Sequence, residues 1–426
     1  MSSLRVSMQN ELVGTLLIDK QQRYHFEYAQ SWIDRGFAIS PHIPFDSETD
    51  STTIKRFLEN LVPEGEGLED IASFAHISKN NTFAIMHTIG YDTAGALVFG
   101  DNRNSNRAIF REISSDELRG RIEQLESRSI AIWDKNVRLS LAGVQAKLPI
   151  IIRNSKMGLA NGTLSSTHIM KFQTKKHLNI VINELFCMSL AQKIGLNVAK
   201  VELKRLGNYP TLLIKRFDRV YRDDFVERLH IIDGCQMLNL PPTYKYEQNF
   251  GSSRDVKHIK EGASFKKLFA MTKVCRVPAK AQLELLNWAS FNLIIGNSDA
   301  HGKNFSFFVD KQGITPTPFY DMLCVMMYDF DHNLAMSYGD EFNPNRVFAY
   351  SLREFAQDLE INYKLVSKVL LKQCDMVIKV LEKEIIDKKL LTNKEFDFIE
   401  KLSKFIMKRA IRFREASMEM ELVSYP

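Results

Sequence analysis

The first hundred residues carry two hydrophobic patterns, one after the other along the chain. Apolar and polar side chains alternate over residues 4–8, a polar turn follows, and residues 12–18 are again mostly apolar, which is typical of a β-hairpin. Helical spacing of the apolar positions predicts two short helices at about 52–61 and 67–77. We therefore expect residues 1–100 to form a small N-terminal α/β subdomain.

The hydrophobic pattern changes beyond this subdomain. A polar run followed by a charged helix predicts a connecting segment over 101–135, and from residue 351 the spacing is helical almost to the end of the chain. Between these two regions, short apolar strands alternate with helices. The predicted strands cover residues 148–152, 168–172, 211–217 and 305–309, and the predicted helices cover 183–194 and 278–295.

The composition is that of an ordinary globular protein. Of the 426 residues, 45% are hydrophobic and 25% are charged, which excludes disorder, collagen-like repeats and coiled-coil arrays as the main architecture. The net charge of +6 is mildly basic and is compatible with contact to nucleic acid. No apolar run reaches the roughly 18 residues that span a bilayer, and no secretory signal is visible. The five cysteines have no CxxC spacing, so we expect a reduced, cytoplasmic protein with no membrane contact.

The most informative stretch is a polar loop at 296–304, between a predicted helix and a predicted strand. Asp299 and Asn304 have the spacing D-x-x-x-x-N, which in protein kinases places a base and a magnesium ligand on one loop. Asp321 follows the next strand and turn, where kinases carry a second metal-binding aspartate. Each of these residues, taken alone, is equally typical of a polar turn.

Two further features precede this loop in the order found in kinases. Lys171 ends an apolar strand, where a kinase lysine binds phosphates, and Glu184 in the next helix is a candidate for its ion pair. The small residues of 140–147 suit a loop whose backbone N–H groups approach phosphates, although one glycine makes it a poor P-loop. This order predicts a bilobal kinase, with a nucleotide-binding portion of the N-lobe at 136–220 and a catalytic, mainly helical C-lobe at 221–426.

The chain resembles the HipA-type serine/threonine-protein kinase toxins of bacterial type II toxin–antitoxin modules over nearly its whole length. The segments that carry the resemblance are 140–147, Lys171, 216–219, 233–236, 240–247, 299–304 and 320–321. The resemblance implies an α+β, bilobal protein-kinase-like fold with a small N-terminal α/β subdomain and an all-helical C-terminal lobe. It also implies a kinase that uses ATP and Mg²⁺.

By position, the resemblance assigns a role to each residue of the expected site. Asp299 would be the catalytic base, and Asn304 and Asp321 would bind magnesium. Lys171 would hold the α-phosphate, with Glu184 as its ion-pair partner. The residues that would cover or line the nucleotide are Ala142, Gly143, Val144, Gln145, Ala146, Lys147, His301, Tyr320 and Asp321.

Two further positions follow from the resemblance. The strand formed by Lys215, Arg216 and Phe217 would lie between the lobes and meet adenine. Lys215 stands where an acidic residue is expected, which would change the nucleotide preference if that side chain makes the contact. Ser140 occupies the place of the serine whose autophosphorylation inactivates family members.

The resemblance also implies the partners. Family substrates are glutamyl- or other aminoacyl-tRNA synthetases, whose phosphorylation halts translation and favours dormancy and persistence. A helix-turn-helix antitoxin would neutralise the kinase and bind operator DNA together with it.

Two other functions stay open at this point. Asp299-Ala300-His301 lacks the arginine of H-R-D, as in kinases with a lipid or small-molecule acceptor. A basic stripe of Lys404, Lys408 and Arg412 in the C-terminal helix, with the net charge of +6, is compatible with a catalytically silent DNA co-repressor. A solvated helix face explains that stripe more simply.

Overall fold

The computed structural model describes residues 2–100, 108–125, 129–130, 132–134, 136–137, 145–222 and 225–423. The chain divides into two compact units. The first unit consists of Met1–Lys176, Lys204–Pro242 and Phe307–Ile314. The second unit consists of His177–Leu203, Thr243–Ser306 and Thr315–Pro426.

A four-stranded sheet and short helices form the N-terminal part of the first unit. The predicted hairpin is confirmed, and its turn residues Gln9 and Asn10 have φ angles of 49° and 70°, as a two-residue hairpin turn requires. Val6 and Leu16 of the two strands are fully buried. The strands in sheet order are Tyr24–Tyr28, Glu11–Ile18, Ser2–Met8 and Val98–Phe99. The helices are Gln30–Ile33, Ser51–Glu59, Glu66–Ala75 and Thr82–Ile89.

A six-stranded sheet is the largest element of the first unit. Lys147 lies opposite Lys171 on the neighbouring antiparallel strand, so both side chains project from the same face of the sheet. Leu148 and Met170, one position along, are fully buried in a hydrophobic cluster with Trp133. The strands in sheet order are Val201–Leu206, Tyr209–Lys215, His168–Phe172, Lys147–Arg153, Lys156–Gly162 and Ala108–Glu112.

Several shorter elements lie between the strands of this sheet or after them along the chain. The Ser114 hydroxyl accepts a hydrogen bond from the Glu117 N–H at the start of a helix, which agrees with the predicted charged helix. The short strands and helices are Ser115–Glu123, Ile132–Trp133, Asn136–Val137, Arg219–Tyr221, Val226–Arg228, Ile231–Asp233, Gly234–Met237, Ser306–Asp310 and Gly313–Pro316.

A buried ion cluster joins two distant segments of the first unit. Asp218 accepts hydrogen bonds from Arg216 and Arg219, both at 2.8 Å, and from the Gly95 N–H at 2.9 Å. Arg219 also binds Asp92 at 3.1 Å. Because these charged groups are nearly inaccessible to solvent, their mutual pairing is required to offset the cost of burying them. The cluster therefore attaches the segment after the predicted adenine strand to the N-terminal subdomain.

The second unit is mainly helical. Thr392 and Glu395 form a capping box at the start of its longest helix. Isolated β-bridges in this unit pair Val198 with Phe319 and Tyr338 with Glu341. The C-terminal lobe was expected to be all-helical, but the strands Ser306–Asp310 and Gly313–Pro316 lie within residues 221–426. The helices are Ile180–Lys193, Phe265–Met271, Pro278–Ile295, Ala349–Asp358, Tyr363–Leu381 and Asn393–Glu419.

The helix Pro278–Ile295 has the bounds that its hydrophobic spacing predicts. Trp288 and Phe291 are fully buried, but Leu283, which has the same helical spacing of apolar residues, is 43% exposed. The first turns of the helix therefore face solvent, and only its second half is surrounded by protein. Within the part of the chain that the structure describes, no helix is long and apolar enough to cross a membrane.

Candidate active site

The polar loop with the predicted base begins where the helix Pro278–Ile295 ends. Gly296 ends the helix in the left-handed conformation, with a φ of 75°. Arg409 of the C-terminal helix donates hydrogen bonds to the carbonyls of Leu293 at 2.7 Å and Ile294 at 3.2 Å. A glycine cap and a buried cation thus determine the direction in which the loop leaves the helix.

Asp299 lies in this loop with its carboxylate exposed to solvent. Its Oδ1 atom accepts a hydrogen bond of 2.8 Å from the Tyr246 hydroxyl. Its backbone carbonyl accepts a hydrogen bond of 2.9 Å from the N–H of His301. A phenol therefore helps to orient this solvent-exposed carboxylate.

The two predicted metal ligands, Asn304 and Asp321, are in direct contact. Nδ2 of Asn304 donates a hydrogen bond of 2.7 Å to Oδ2 of Asp321. Oδ1 of Asn304 is buried and has no hydrogen-bond partner among the described residues, although buried amide oxygens normally have one. Asp321 has a φ of 57°, a left-handed conformation that costs a non-glycine residue about 1–2 kcal/mol. An unsatisfied oxygen beside a strained carboxylate fits a hard divalent cation.

The size of this oxygen set limits which metal it suits. Within the described ranges, no group of three or more His, Cys, Asp or Glu side chains could hold a metal ion. Magnesium commonly uses one or two protein oxygens and completes its shell with water and phosphate oxygens. Asn304 and Asp321 therefore suit a metal that binds together with a nucleotide.

His301 follows Asp299 in the loop and has a neutral ring. Burial and Lys245 lower its pKa well below the usual value, Lys303 adds to this effect, and Asp321 opposes it. Its Nδ1 atom accepts a hydrogen bond of 3.2 Å from the Lys303 N–H, which leaves the proton on Nε2. This ring can therefore donate a hydrogen bond to a phosphate oxygen without itself changing charge.

Tyr320 connects the two metal-ligand candidates. Its hydroxyl donates a hydrogen bond of 2.6 Å to the carbonyl of Lys303, the residue before Asn304. It also shares a hydrogen bond of 2.7 Å with the Ser306 hydroxyl. Because Tyr320 directly precedes Asp321, these bonds keep the carboxylate and the amide at a constant separation.

The predicted phosphate-binding lysines belong to the first unit. Lys147 and Lys171 are only 7% and 8% exposed, and two ammonium groups on one face of a sheet favour an anion there. Gln145 donates a hydrogen bond of 3.2 Å to the Phe172 carbonyl, and the Phe172 N–H donates one of 3.0 Å to Ala146. The end of the predicted phosphate loop is thus attached to the Lys171 strand. The remaining predicted loop residues, Ser140, Ala142, Gly143 and Val144, lie outside the described residues.

The three residues predicted to meet adenine have different environments. Lys215 is exposed at the end of its strand. The half-buried ring of Phe217 makes an edge contact with Phe308 at 6.0 Å between centroids. Arg216 is only 3% exposed, and its guanidinium binds Asp218 through two hydrogen bonds. The Arg216 side chain is therefore committed to the interior of the first unit, which leaves only its backbone for the predicted nucleotide contact.

Glu184 is fully buried in a helix of the second unit. Lys171 belongs to the first unit, and their ion pair stays a prediction. Asn183, one residue earlier, donates a hydrogen bond of 2.9 Å to the Cys324 carbonyl and accepts one of 2.8 Å from the Cys324 N–H. The Glu184 helix is thereby attached to the segment that follows Asp321.

Tyr246, whose hydroxyl contacts the predicted base, was not among the predicted site residues. The signal was present in the segment 240–247, which contributed to the family resemblance but was assigned no chemistry. Neither helical nor strand periodicity predicts that a residue more than fifty positions before Asp299 will contact it. Only the tertiary structure brings the two side chains together.

Two family models match this chain. The HipA N-terminal domain matches residues 4–100. The HipA-like C-terminal domain matches residues 139–381, which is more than half of the chain.

Comparison with known proteins gives the same family. The chain is 43% identical over 369 residues to the serine/threonine-protein kinase toxin HipA of Shewanella oneidensis, and the match covers 85% of each protein. It is 31% identical over 382 residues to Y4mE of Sinorhizobium fredii, covering 86% of this chain and 87% of that protein. The structure matches a chain from the complex of Shewanella oneidensis HipA, HipB and operator DNA with a TM-score of 0.91 and 39% identity, covering 99% of this chain and 100% of that chain. The expectation of a HipA-type kinase is confirmed, and this chain belongs to the HipA family of serine/threonine-protein kinase toxins.

Proposed function

We propose that this protein transfers the γ-phosphoryl group of ATP, with Mg²⁺, to a serine or threonine of another protein and thereby acts as the toxin of a toxin–antitoxin pair. The observation that carries the proposal is the contact of 2.7 Å between Asn304 and Asp321. Beside it lie the unpartnered Oδ1 of Asn304 and, earlier in the same loop, the exposed carboxylate of Asp299.

The chemistry assigned to these residues is phosphoryl transfer. Asp299 takes the proton of the acceptor hydroxyl as that oxygen bonds to the γ-phosphorus, and the bond from this phosphorus to the β-phosphate oxygen breaks, releasing ADP. Magnesium, held by Asn304 and Asp321, would neutralise phosphate charge. His301 would donate its Nε2 proton in a hydrogen bond to a phosphate oxygen. Lys171 would hold the α-phosphate, a role supported by its burial beside Lys147.

The acceptor we propose is an aminoacyl-tRNA synthetase, with the glutamate enzyme as the first choice. Phosphorylation of such an enzyme would stop tRNA charging, halt translation and produce dormancy. We also propose that autophosphorylation at Ser140 inactivates the kinase. Both proposals come from the family resemblance. The cysteine spacing and the short apolar runs of the sequence support action in the cytoplasm.

A helix-turn-helix antitoxin is the proposed partner. Support comes from the similar structure, whose HipA was solved together with HipB and operator DNA. Contact with DNA through the antitoxin explains how a chain with a net charge of only +6 could participate in operator binding.

The test is a labelling experiment with γ-³²P-ATP, Mg²⁺ and a bacterial cell extract. The wild-type protein is expected to label one protein band, and Asp299→Asn to lower the rate by about 10²–10⁴-fold, since a positioned base contributes that much. Asp331→Asn is the matched control, because this exposed aspartate accepts a hydrogen bond from the Asn333 N–H and lies outside the predicted catalytic loop. In extract that has been incubated with the wild-type protein and ATP, addition of unmodified synthetase should restore translation.

Three results would change the assignment. Equal labelling by the Asp299→Asn variant would contradict the role of this loop. Label in the lipid or small-molecule fraction would establish a different acceptor class. No heat of nucleotide binding in calorimetry would favour the catalytically silent DNA co-repressor.

A further inference from the structure

The Tyr246 hydroxyl holds one oxygen of the Asp299 carboxylate. It donates a hydrogen bond of 2.8 Å to Oδ1 of this residue. A hydrogen bond between side chains has a preferred direction, so it restricts the rotation of the carboxylate. The phenol thus helps to set the direction in which the carboxylate faces.

The backbone on both sides of Tyr246 is bonded to the loop that carries Asp299. The Gly302 N–H donates a hydrogen bond of 2.9 Å to the Lys245 carbonyl. The Glu247 N–H donates one of 2.9 Å to the Ala335 carbonyl, and the Ala335 N–H in turn donates one of 2.8 Å to Ser298. The base and the phenol are therefore parts of one hydrogen-bonded framework.

The side chain of Glu247 strengthens this framework. It is buried, and its carboxylate accepts hydrogen bonds from the Ser337 N–H at 2.9 Å and from the Ser337 hydroxyl at 3.1 Å. Tyr246, between two buried neighbours, is itself 37% exposed. The segment is thus rigid where it is attached and open where its hydroxyl meets the base.

The ring of Tyr246 has further contacts that limit its rotation. Its edge-to-face contact with His301 has a centroid separation of 5.4 Å. The Lys245 ammonium lies 5.3 Å from the centre of the Tyr246 ring. A phenol held in this manner loses little side-chain entropy when it binds a carboxylate.

We propose that Tyr246 is a positioning residue for phosphoryl transfer, which orients the Asp299 carboxylate towards the acceptor hydroxyl. This inference rests on the proposed role of Asp299 as the base. The Tyr246 hydroxyl bonds the proposed base, so its removal should affect the chemical step more than the affinity for nucleotide.

The experiment compares Tyr246→Phe with wild type in the labelling reaction with Mg²⁺-ATP and cell extract. The substitution keeps the ring and removes only the donor, so kcat is expected to fall about tenfold with KM for ATP unchanged. Tyr244→Phe is the matched control, since this tyrosine lies on the same segment and its ring packs near Phe250 at 6.2 Å. All variants should unfold at the same temperature as wild type.

A double variant separates a positioning role from a merely structural one. If Tyr246 acts through Asp299, adding Tyr246→Phe to Asp299→Asn leaves the residual rate unchanged, because the group it orients has lost its function. A further tenfold loss in the double variant, or a Tyr246→Phe rate equal to or above wild type, would overturn the inference alone. Full activity of Asp299→Asn would overturn the proposed function with it.

Discussion

Replacement of Asp218 by asparagine tests whether the segment around Arg216 stabilises the first unit or contacts nucleotide. The carboxylate accepts four hydrogen bonds, two from Arg216 at 2.8 and 2.9 Å, one from Arg219 at 2.8 Å and one from the Gly95 N–H at 2.9 Å. Burial raises the pKa of Asp218, but Arg216 and Arg219 hold it well below its usual range. The group is thus fully ionised and paired in the interior.

The expected cost follows from this geometry. Asparagine has nearly the same size but lacks the negative charge, so two buried guanidinium groups would lose their main counterion. Breaking a buried ion pair from one side costs about 3–5 kcal/mol. This is a large part of the roughly 5–15 kcal/mol by which a typical domain is stable. At about 2–4 °C per kcal/mol, the unfolding temperature should fall by roughly 6–20 °C.

The assay is thermal and urea unfolding, together with KM for ATP of the folded protein. Arg222→Gln is the matched control, because Arg222 and Glu227 form an ion pair of 2.6 Å on the surface of the same unit, and exposed pairs contribute at most about 1 kcal/mol. An Asp218→Asn protein as stable as the control, with a raised KM for ATP, would refute the structural role and favour the nucleotide contact.

Three further outcomes follow from other contacts. The pKa of His230 is lowered to about 4 by burial, so its stabilising effect is complete above about pH 6.5 and is lost as the pH falls towards 4. Urea unfolding should show about 2 kcal/mol less stability at pH 5 than at pH 7. The variant His230→Gln should abolish that difference. Arg409→Met should lower the free energy of unfolding by about 2–4 kcal/mol, against little change for Arg414→Met, whose ion pair is exposed. Asn304→Ala should raise the Mg²⁺ concentration for half-maximal labelling, and an unchanged requirement would contradict its role as a ligand.

Much of the local structure could be predicted from the hydrophobic pattern. The hairpin turn at Gln9 and Asn10 and the bounds of the helix Pro278–Ile295 agree with the structure. Both depend on contacts between residues near in sequence, such as turn conformations and helix caps, and those leave a local pattern. The exposure of Leu283 did not follow from the same pattern, since the spacing of a helix does not reveal which neighbours cover each turn.

The candidate site shows the same difference between local patterns and contacts that depend on the tertiary structure. Asp299, Asn304 and Asp321 could be predicted as a base and two metal ligands because the catalytic loop of a kinase keeps a short spacing between its base and its first metal ligand. A shared metal ion was expected for Asn304 and Asp321 from the kinase motif, whereas their direct contact and the unsatisfied amide oxygen could be seen only in the folded chain. The hydrogen bond from Tyr246 was not expected at all.

Residue types and their order along the chain were sufficient to predict the family and to propose which side chains carry the chemistry. The tertiary structure decided what each charged group near that chemistry binds: it directed Arg216 inward to Asp218 and placed Tyr246 on Asp299. The physical reason is that the energy of a charge or a hydrogen bond depends on its burial and on partners distant in sequence. Neither the burial of a group nor its partners distant in sequence can be predicted from the local pattern of the chain.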